Sequence, residues 1–98
     1  SSGPLTLNIA QRTASISNQT LELTTTEFDL LACLVKASPK PITAQKLVEQ
    51  ALGYGCENIE AREIIKWHIH HLRRKVEPER KPHYIKTVRH KGYMWINA

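Results

Sequence analysis

The chain has 98 residues, of which 41% are hydrophobic and 23% are charged, so its composition fits one compact domain with a modest core and argues against disorder. No apolar run approaches the roughly 20 residues that a membrane-spanning helix needs, and we see no leader of the signal-peptide kind. The formal net charge of +5 favours an anionic partner, and ten of the 14 lysines and arginines lie from Arg62 onward, together with all five histidines.

The first segment alternates apolar and polar residues, a pattern that is typical of short strands. This alternation occurs at residues 5–9, 14–16 and 21–23. Asn18 and Gln19, between the last two runs, are typical of a turn. We therefore predict a small antiparallel sheet of about three strands. Residues 1–4 are interpreted as a linker or a cloning remnant, and residues 5–98 as one domain.

Two helices are predicted next. Thr24 and Glu27 have the spacing of a capping box, and an apolar face at helical spacing follows them. The helix is expected to end at residues 38–41, Ser-Pro-Lys-Pro, because proline disfavours helix at the residue before it. A second helix is predicted to begin after Thr43, a good N-cap, and to end at residues 53–55, Gly-Tyr-Gly, where glycine can adopt a positive φ.

The third helix, predicted over residues 60–76 and ending before Pro78, carries the most informative pattern. One side is an apolar stripe spaced for a core, formed by Ile65, Ile69, Leu72 and Val76. The opposite side carries charged and aromatic residues, namely Glu63, Trp67, His70 and Arg74. Such a face is unusual for a helix that only covers a core, so we interpret it as a binding surface.

A hairpin is predicted at the C-terminal end. Residues 84–88 and 93–96 are typical of strands, and residues 89–92 are typical of a tight turn with two full positive charges. Gly92 is suited to a left-handed conformation there. The order of strands, three helices and a hairpin, with a basic helix face before a basic turn, predicts an α+β fold: a winged helix-turn-helix with an N-terminal antiparallel sheet and a C-terminal β-hairpin wing.

Three segments together resemble the OmpR/PhoB-type effector domain of bacterial response regulators. Residues 67–78, WHIHHLRRKVEP, resemble its recognition helix, and residues 85–93, IKTVRHKGY, resemble its wing. Residues 23–31, LTTTEFDLL, resemble the entry to its first helix. The similarity extends from about Leu5 to Ile96, and three motifs in the right order make the match specific.

The resemblance implies sequence-specific binding of double-stranded DNA by the effector domain of a bacterial transcriptional regulator, in a two-component system. The third helix would lie in the major groove, and the wing would contact the backbone or the minor groove. The family also implies two further partners, which are a second copy of the chain on DNA and RNA polymerase, the latter at the loop from Gly53 to Asn58. No membrane partner is expected.

The resemblance also assigns DNA contacts residue by residue. The expected DNA-binding residues are Trp67, His68, His70, His71, Arg73, Arg74, Thr87, Arg89, His90 and Lys91. The family often has arginines where His70 and His71 stand, and often a glycine where His90 stands. A histidine cannot make the bidentate arginine–guanine contact, so the base preference of this chain is open.

Enzymatic activity is not expected, because the sequence has neither a nucleophile elbow nor a glycine-rich phosphate loop. No cofactor and no metal are expected either. A metal site would need His68 and His71, possible ligands at i and i+3, together with Cys56 or another third ligand that the sequence does not identify. The two cysteines, without a secretory signal, fit a reducing cytoplasm better than a disulfide framework.

Several alternatives stay open on the sequence alone. Trp67 could contact a thymine methyl group, or it could pack on a neighbouring loop or subunit. Arg73 could form an internal ion pair with Glu27 or Asp29. The alternative function is a winged-helix protein-interaction module, anchored by Trp67 and Tyr54, that binds DNA only weakly and without specificity.

Overall fold

The structure is a computed structural model that describes residues 5–53, 55, 57–77 and 84–96. The elements in chain order are β1 (Leu5–Asn8), β2 (Thr13–Ile16), β3 (Gln19–Leu21), α1 (Thr25–Ala37), α2 (Ala44–Leu47) continued by a π-helical segment (Val48–Leu52), α3 (Asn58–Val76), β4 (Ile85–Val88) and β5 (Gly92–Trp95). The predicted α+β architecture of strands, three helices and a hairpin is therefore confirmed. The predicted linker at residues 1–4, Tyr54 and Cys56 lie outside the described residues.

The N-terminal sheet is antiparallel with the strand order β1-β2-β3. Ile16 pairs with Gln19, so the turn between β2 and β3 has only two residues, Ser17 and Asn18. Their φ values of 49° and 69° are both left-handed, which is the geometry of a type I′ hairpin turn and one that asparagine tolerates. The turn predicted at Asn18 and Gln19 thus lies one residue earlier, and the strand predicted at residues 21–23 lies two residues earlier, at Gln19–Leu21.

Helix α1 begins with the predicted capping box. The Thr24 hydroxyl accepts a hydrogen bond from the Glu27 amide at 3.2 Å, and the Glu27 carboxylate accepts one from the Thr24 amide at 2.9 Å. Glu27 is buried and also accepts a hydrogen bond from Lys75 Nζ at 2.6 Å. The same carboxylate therefore starts α1 and joins it to the last turn of α3.

Helix α2 has only four residues before the backbone changes from α-helical to π-helical geometry. The Thr43 hydroxyl caps it by accepting a hydrogen bond from the Lys46 amide at 3.2 Å, as the sequence predicted. The following residues 48–52 are π-helical rather than α-helical, so the prediction of one regular helix was wrong in this half. Gly53 ends the segment with φ of +80°, and its amide donates to the Val48 carbonyl five residues earlier.

Helix α3 begins at Asn58, two residues before the predicted start, and ends at Val76 as predicted. Its predicted apolar stripe is confirmed, because Ile65, Ile69, Leu72 and Val76 are all buried. The stripe packs in one core with buried residues of α1, α2 and β5, including Leu31, Leu34, Leu47 and Trp95. Among the described residues, no helix combines the length and the hydropathy that crossing a membrane requires.

Strands β4 and β5 pair from Ile85 with Trp95 to Val88 with Gly92. Strand β5 is also bonded on its other side, because Ile42 and Tyr93 exchange two backbone hydrogen bonds of 2.7 and 2.9 Å. Trp95 is buried and stacks on Tyr84 with a centroid distance of 5.2 Å. The hairpin is thus joined to the body of the fold through β5, at Tyr93 near the turn and at Trp95 near the base, and residues 89–91 of the turn are exposed.

Acid should weaken the fold through Glu27. Burial raises the pKa of this carboxyl, but the hydrogen bonds from Lys75 and Thr24 and the charge of Lys75 outweigh burial and lower the pKa. A lowered pKa stabilises the fold above the ordinary glutamate value of about 4.3, and the contribution is lost as the pH falls through the folded-state pKa. Because Lys75 is partly exposed, we expect Glu27→Gln to cost about 1 kcal/mol at pH 7.

Urea unfolding at pH 7 and at pH 3 tests this expectation. Glutamine can keep both halves of the capping box, so the variant isolates the charge of Glu27. At pH 3 the wild type should have lost the contribution of the Glu27 charge, so the free energies of unfolding of the two proteins should be nearly equal. An equal difference between the two proteins at both pH values would contradict the assignment.

Candidate nucleic-acid interface

The side of α3 opposite the core carries exposed polar and aromatic side chains. At about 100° per residue, these positions follow directly from the buried stripe, which fixes the rotation of the helix. We call this face, together with the hairpin turn, the helix–hairpin surface. Its members are Arg62, Glu63, Lys66, Trp67, His70 and Arg74 of α3, and Arg89, His90 and Lys91 of the turn, all exposed.

An open groove separates the first half of α3 from the hairpin. Its volume is about 780 Å³, and its lining includes Thr43, Ile59 and Tyr93 besides residues of the helix–hairpin surface. Four of the lining side chains are cations and one is a carboxylate, namely Arg62, Lys66, Arg89 and Lys91 against Glu63. The excess of three positive charges in a concave surface attracts a polyanion.

Four aromatic rings form a connected cluster further along α3. Trp67 is 61% exposed, and its ring lies 4.2 Å from His71 and 5.0 Å from His68, centroid to centroid. The rings of His70 and His71 are 5.4 Å apart. Trp67 therefore lies along the helix surface on neighbouring histidines and not in the core, which leaves most of the indole available to a partner.

His68 differs from the other histidines of this cluster. It is half-buried, whereas His70 is exposed. Burial lowers the pKa of His68, and the nearby His71 lowers it further, although the Glu27 carboxylate opposes both. His68 therefore stays uncharged at neutral pH, on a side of α3 close enough to α1 for its ring to interact with Glu27.

Arg73 makes internal contacts, but not the ones considered from the sequence. Its Nη2 donates to the Ile85 carbonyl at 3.0 Å and to the Thr87 hydroxyl at 2.9 Å. Glu27 pairs instead with Lys75, and Asp29 pairs with Arg12. The hypothesis of an ion pair between Arg73 and either acid was wrong, because Arg73 lies on the hairpin side of α3 and Lys75 lies on the α1 side.

Most of the expected DNA-binding residues come together on one side of the molecule. Trp67, His70, Arg74, Thr87, Arg89, His90 and Lys91 are exposed, whereas His68, His71 and Arg73 are half-buried. Arg62 and Lys66 were not among the expected residues, yet both line the groove. Their spacing of four residues places them on one side of α3, but only the position of the hairpin shows that this side faces a groove.

The described residues do not form a metal centre. Within residues 5–53, 55, 57–77 and 84–96, no three histidine, cysteine or acidic side chains are grouped so that they could hold an ion. His68 and His71 both contact the Trp67 ring. Cys56, the third ligand considered from the sequence, lies outside the described residues.

Comparison with known proteins gives a consistent result. The protein family described as "Transcriptional regulatory protein, C terminal" matches residues 18–95. Over 92 residues the chain is 38% identical to the DNA-binding dual master transcriptional regulator RpaA of Synechocystis sp., which covers 93% of this chain and 37% of that protein. It is 36% identical to the transcriptional regulatory protein CpxR of Escherichia coli, over 96% of this chain and 40% of that protein. The chain thus spans less than half the length of these relatives.

Solved structures also match the fold. The crystal structure of the DNA-binding domain of CpxR from E. coli has a TM-score of 0.85 and 34% identity, and the match covers 100% of this chain and 95% of that one. The DNA-binding domain of Klebsiella pneumoniae RstA, solved in complex with the RstA box, has a TM-score of 0.87 and 26% identity. That match covers 100% of this chain and 96% of the RstA chain.

Proposed function

The chain belongs to the family of C-terminal domains of transcriptional regulatory proteins, and from this premise we propose that residues 5–98 are the DNA-binding effector domain of a bacterial two-component regulator. Members of this family regulate transcription and are not enzymes. The observation that carries the proposal is the helix–hairpin surface, where exposed cations from two elements face one open groove. The RstA domain, of similar fold, was solved on DNA.

In the proposed complex, α3 lies in the major groove. Its 19 residues span about 28 Å, and the major groove is about 12 Å wide, enough to admit one helix. Trp67, His70 and Arg74 then face the base edges, and His71 supports the Trp67 ring. Arginine can bind guanine with two hydrogen bonds, whereas histidine makes single contacts, so we expect Arg74 to give the stronger base preference.

The groove between α3 and the hairpin suits the phosphate backbone. With α3 in the major groove, the hairpin turn reaches the adjacent backbone or minor groove, and the intervening phosphates lie against the groove cations. Arg62 and Lys66 contribute from the helix, while Arg89 and Lys91 contribute from the turn. Thr87 is exposed beside the turn and can donate its hydroxyl hydrogen to a phosphate.

Three finer assignments are part of the proposal. A second copy of the chain binds beside the first on DNA, RNA polymerase contacts the loop from Gly53 to Asn58, and the protein acts in the cytoplasm. Their support is the family itself, whose relatives RpaA and CpxR are transcriptional regulators. Part of the loop in question lies outside the described residues.

Salt dependence of binding tests the mechanism. A site is first selected from a random duplex library, and its dissociation constant is then measured between 50 and 300 mM salt. If the four groove cations each neutralise one phosphate, the logarithm of the association constant should fall against the logarithm of the salt concentration with a slope of about −3.6. Arg89→Ala with Lys91→Ala should reduce this slope by about 1.8.

Lys36→Ala is the matched control, because Lys36 is exposed on α1 and is not part of the helix–hairpin surface. It should leave the slope nearly unchanged. A salt-insensitive complex would contradict the proposed backbone contacts. A folded chain that enriches no sequence would favour the protein-interaction module instead.

A further inference from the structure

Two side chains near the C-terminal end of α3 hold the outer edge of strand β4. Arg73 donates to the Ile85 carbonyl at 3.0 Å, and Glu77 accepts from the Ile85 amide at 2.7 Å. The two outward backbone groups of Ile85 are thus bonded to Arg73 of α3 and to Glu77, the C-cap residue of α3, while β5 pairs with the opposite edge of β4. Arg73 and Glu77 are one helical turn apart, so the contact needs this helix and this strand in one fixed arrangement.

The two residues hold different parts of the hairpin. Glu77 accepts from the Tyr84 and Ile85 amides at the start of β4. Arg73 reaches further, because the same Nη2 that contacts Ile85 also donates to the Thr87 hydroxyl at 2.9 Å. Thr87 is two residues before Arg89, the first residue of the turn. Arg73 is therefore the α3 side chain that holds the hairpin near its proposed DNA-contacting end.

The hydrogen-bonding capacity of Arg73 is partly used by these contacts. Nη2 carries two hydrogens, and each has an acceptor in β4. The planar guanidinium fixes the directions of both bonds, which a lysine ammonium cannot do. The Thr87 hydroxyl accepts from Arg73 and keeps its own hydrogen available.

We propose that Arg73 is a positioning residue, which ties the hairpin to α3 through Ile85 and Thr87 and so fixes the distance between the two parts of the helix–hairpin surface. The proposal rests on the proposed DNA-binding function. It gives Arg73 a role different from the direct DNA contact that the family resemblance implied. The Thr87 hydroxyl is part of the same connection between α3 and the hairpin, which we call the Arg73 tie.

The reason that such a tie matters is geometric. Helix α3 and the hairpin turn bind different parts of one duplex, so the second contact is intramolecular once the first has formed. A hairpin held at the correct distance makes that contact with little ordering cost, whereas a looser hairpin must be ordered on binding. Loss of Arg73 should therefore act on DNA only through the hairpin contacts.

The experiment compares two pairs of variants on the selected duplex. Thr87→Val removes the acceptor but keeps the shape of the side chain, and Thr87→Ser keeps the acceptor. Arg73→Met removes both donors, and Arg73→Lys keeps the charge. We expect Thr87→Val and Arg73→Met to weaken binding about 3- to 10-fold, and Thr87→Ser to stay within about twofold. Arg73→Lys should not restore wild-type affinity.

The deciding measurement repeats the series after Arg89→Ala and Lys91→Ala have removed the charged hairpin contacts. A positioning residue should then lose its effect, so that Arg73→Met weakens binding less than about twofold further. Equal losses in both backgrounds, with a salt slope for Arg73→Met smaller by about 0.9, would overturn the proposal in favour of a direct phosphate contact.

Thermal unfolding checks that each variant folds. If Arg73→Met does not fold, Arg73→Lys in the two backgrounds decides the question, because lysine keeps the charge but cannot fix the directions of both hydrogen bonds. A wild-type chain that binds no duplex would instead contradict the proposed function, and the inference would fail with it. An additive loss in a chain that binds its selected site would overturn the positioning role alone.

Discussion

Gly92→Ala is expected to lower the free energy of unfolding by more than about 3 kcal/mol, a large fraction of the stability of a small domain. A Cβ at this position would overlap the Ile42 carbonyl oxygen and lie 2.7 Å from Thr43 Cα. These are backbone atoms, and Ile42 is held by two hydrogen bonds to Tyr93. Neither backbone segment can therefore move away without breaking those hydrogen bonds. The φ of +110° adds strain for any residue with a side chain.

Substitutions at two other glycines separate the cost of the steric overlap from the cost of the positive φ. Gly53 has φ of +80° but open space around it, and Gly55 has open space as well. Gly53→Ala should cost about 1 kcal/mol for backbone strain alone, and Gly55→Ala should change stability by less than about 1 kcal/mol. Urea unfolding, followed by the fluorescence of buried Trp95, compares the three. Equal losses for Gly92→Ala and Gly53→Ala would show that the overlap with Ile42 does not limit the fold.

Glu77→Ala is expected to cost about 3 kcal/mol, since it leaves two buried amides without their acceptor. Glu77 is 7% exposed, and its Oε2 accepts from the Tyr84 and Ile85 amides at 2.7 Å each. Hydrogen bonds to a carboxylate are stronger than those to a neutral group, and neither amide can turn to water without opening the hairpin.

Glu77→Gln is the matched control, because a glutamine oxygen can accept the same two hydrogen bonds without a charge. We expect it to cost about 1 kcal/mol. Urea unfolding gives the stabilities, and hydrogen exchange at Tyr84 and Ile85 reports the two bonds directly. If both variants lose the same stability, the charge of Glu77 matters and the geometry of its acceptor does not.

Local signals made much of the fold predictable. The capping box of Thr24 and Glu27, the Thr43 cap and the buried stripe of α3 all depend on residues within a few positions of one another. Gly92 was identified as a position for a left-handed conformation because tight turns between strands commonly require a positive φ, and its φ is +110°. Because these patterns involve residues that are close in sequence, they predict the same local structure in any fold.

The errors came from details that a local pattern does not determine. Whether a hairpin turn occupies Ser17 and Asn18 or the next pair depends on which side chains of the two strands must share a face. The π-helical backbone of residues 48–52 is also invisible to apolar spacing, because both kinds of helix bury Leu47 and Val48. Such differences alter the bounds or the backbone geometry of an element and leave the topology intact.

The candidate site was predictable in part, for a related reason. The exposed face of α3 follows from its buried stripe, so Trp67, His70 and Arg74 could be identified in advance. The place of Arg62 and Lys66 in a groove could not be identified, because this groove exists only where the hairpin packs beside the helix. The contacts of Arg73 likewise join residues 12 and 14 positions apart through the packing of α3 on β4.

The bridge between Ile42 and Tyr93 has a consequence for the order of folding. It joins positions separated by all of α2, all of α3 and the first strand of the hairpin. Trp95, in the same strand, is 1% exposed and completes the core. During synthesis from the N-terminus, the helices therefore emerge with this side of the core uncovered, and cooperative folding must wait until β5 has been made. Until then, the nascent chain presents apolar surface to chaperones and to other nascent chains.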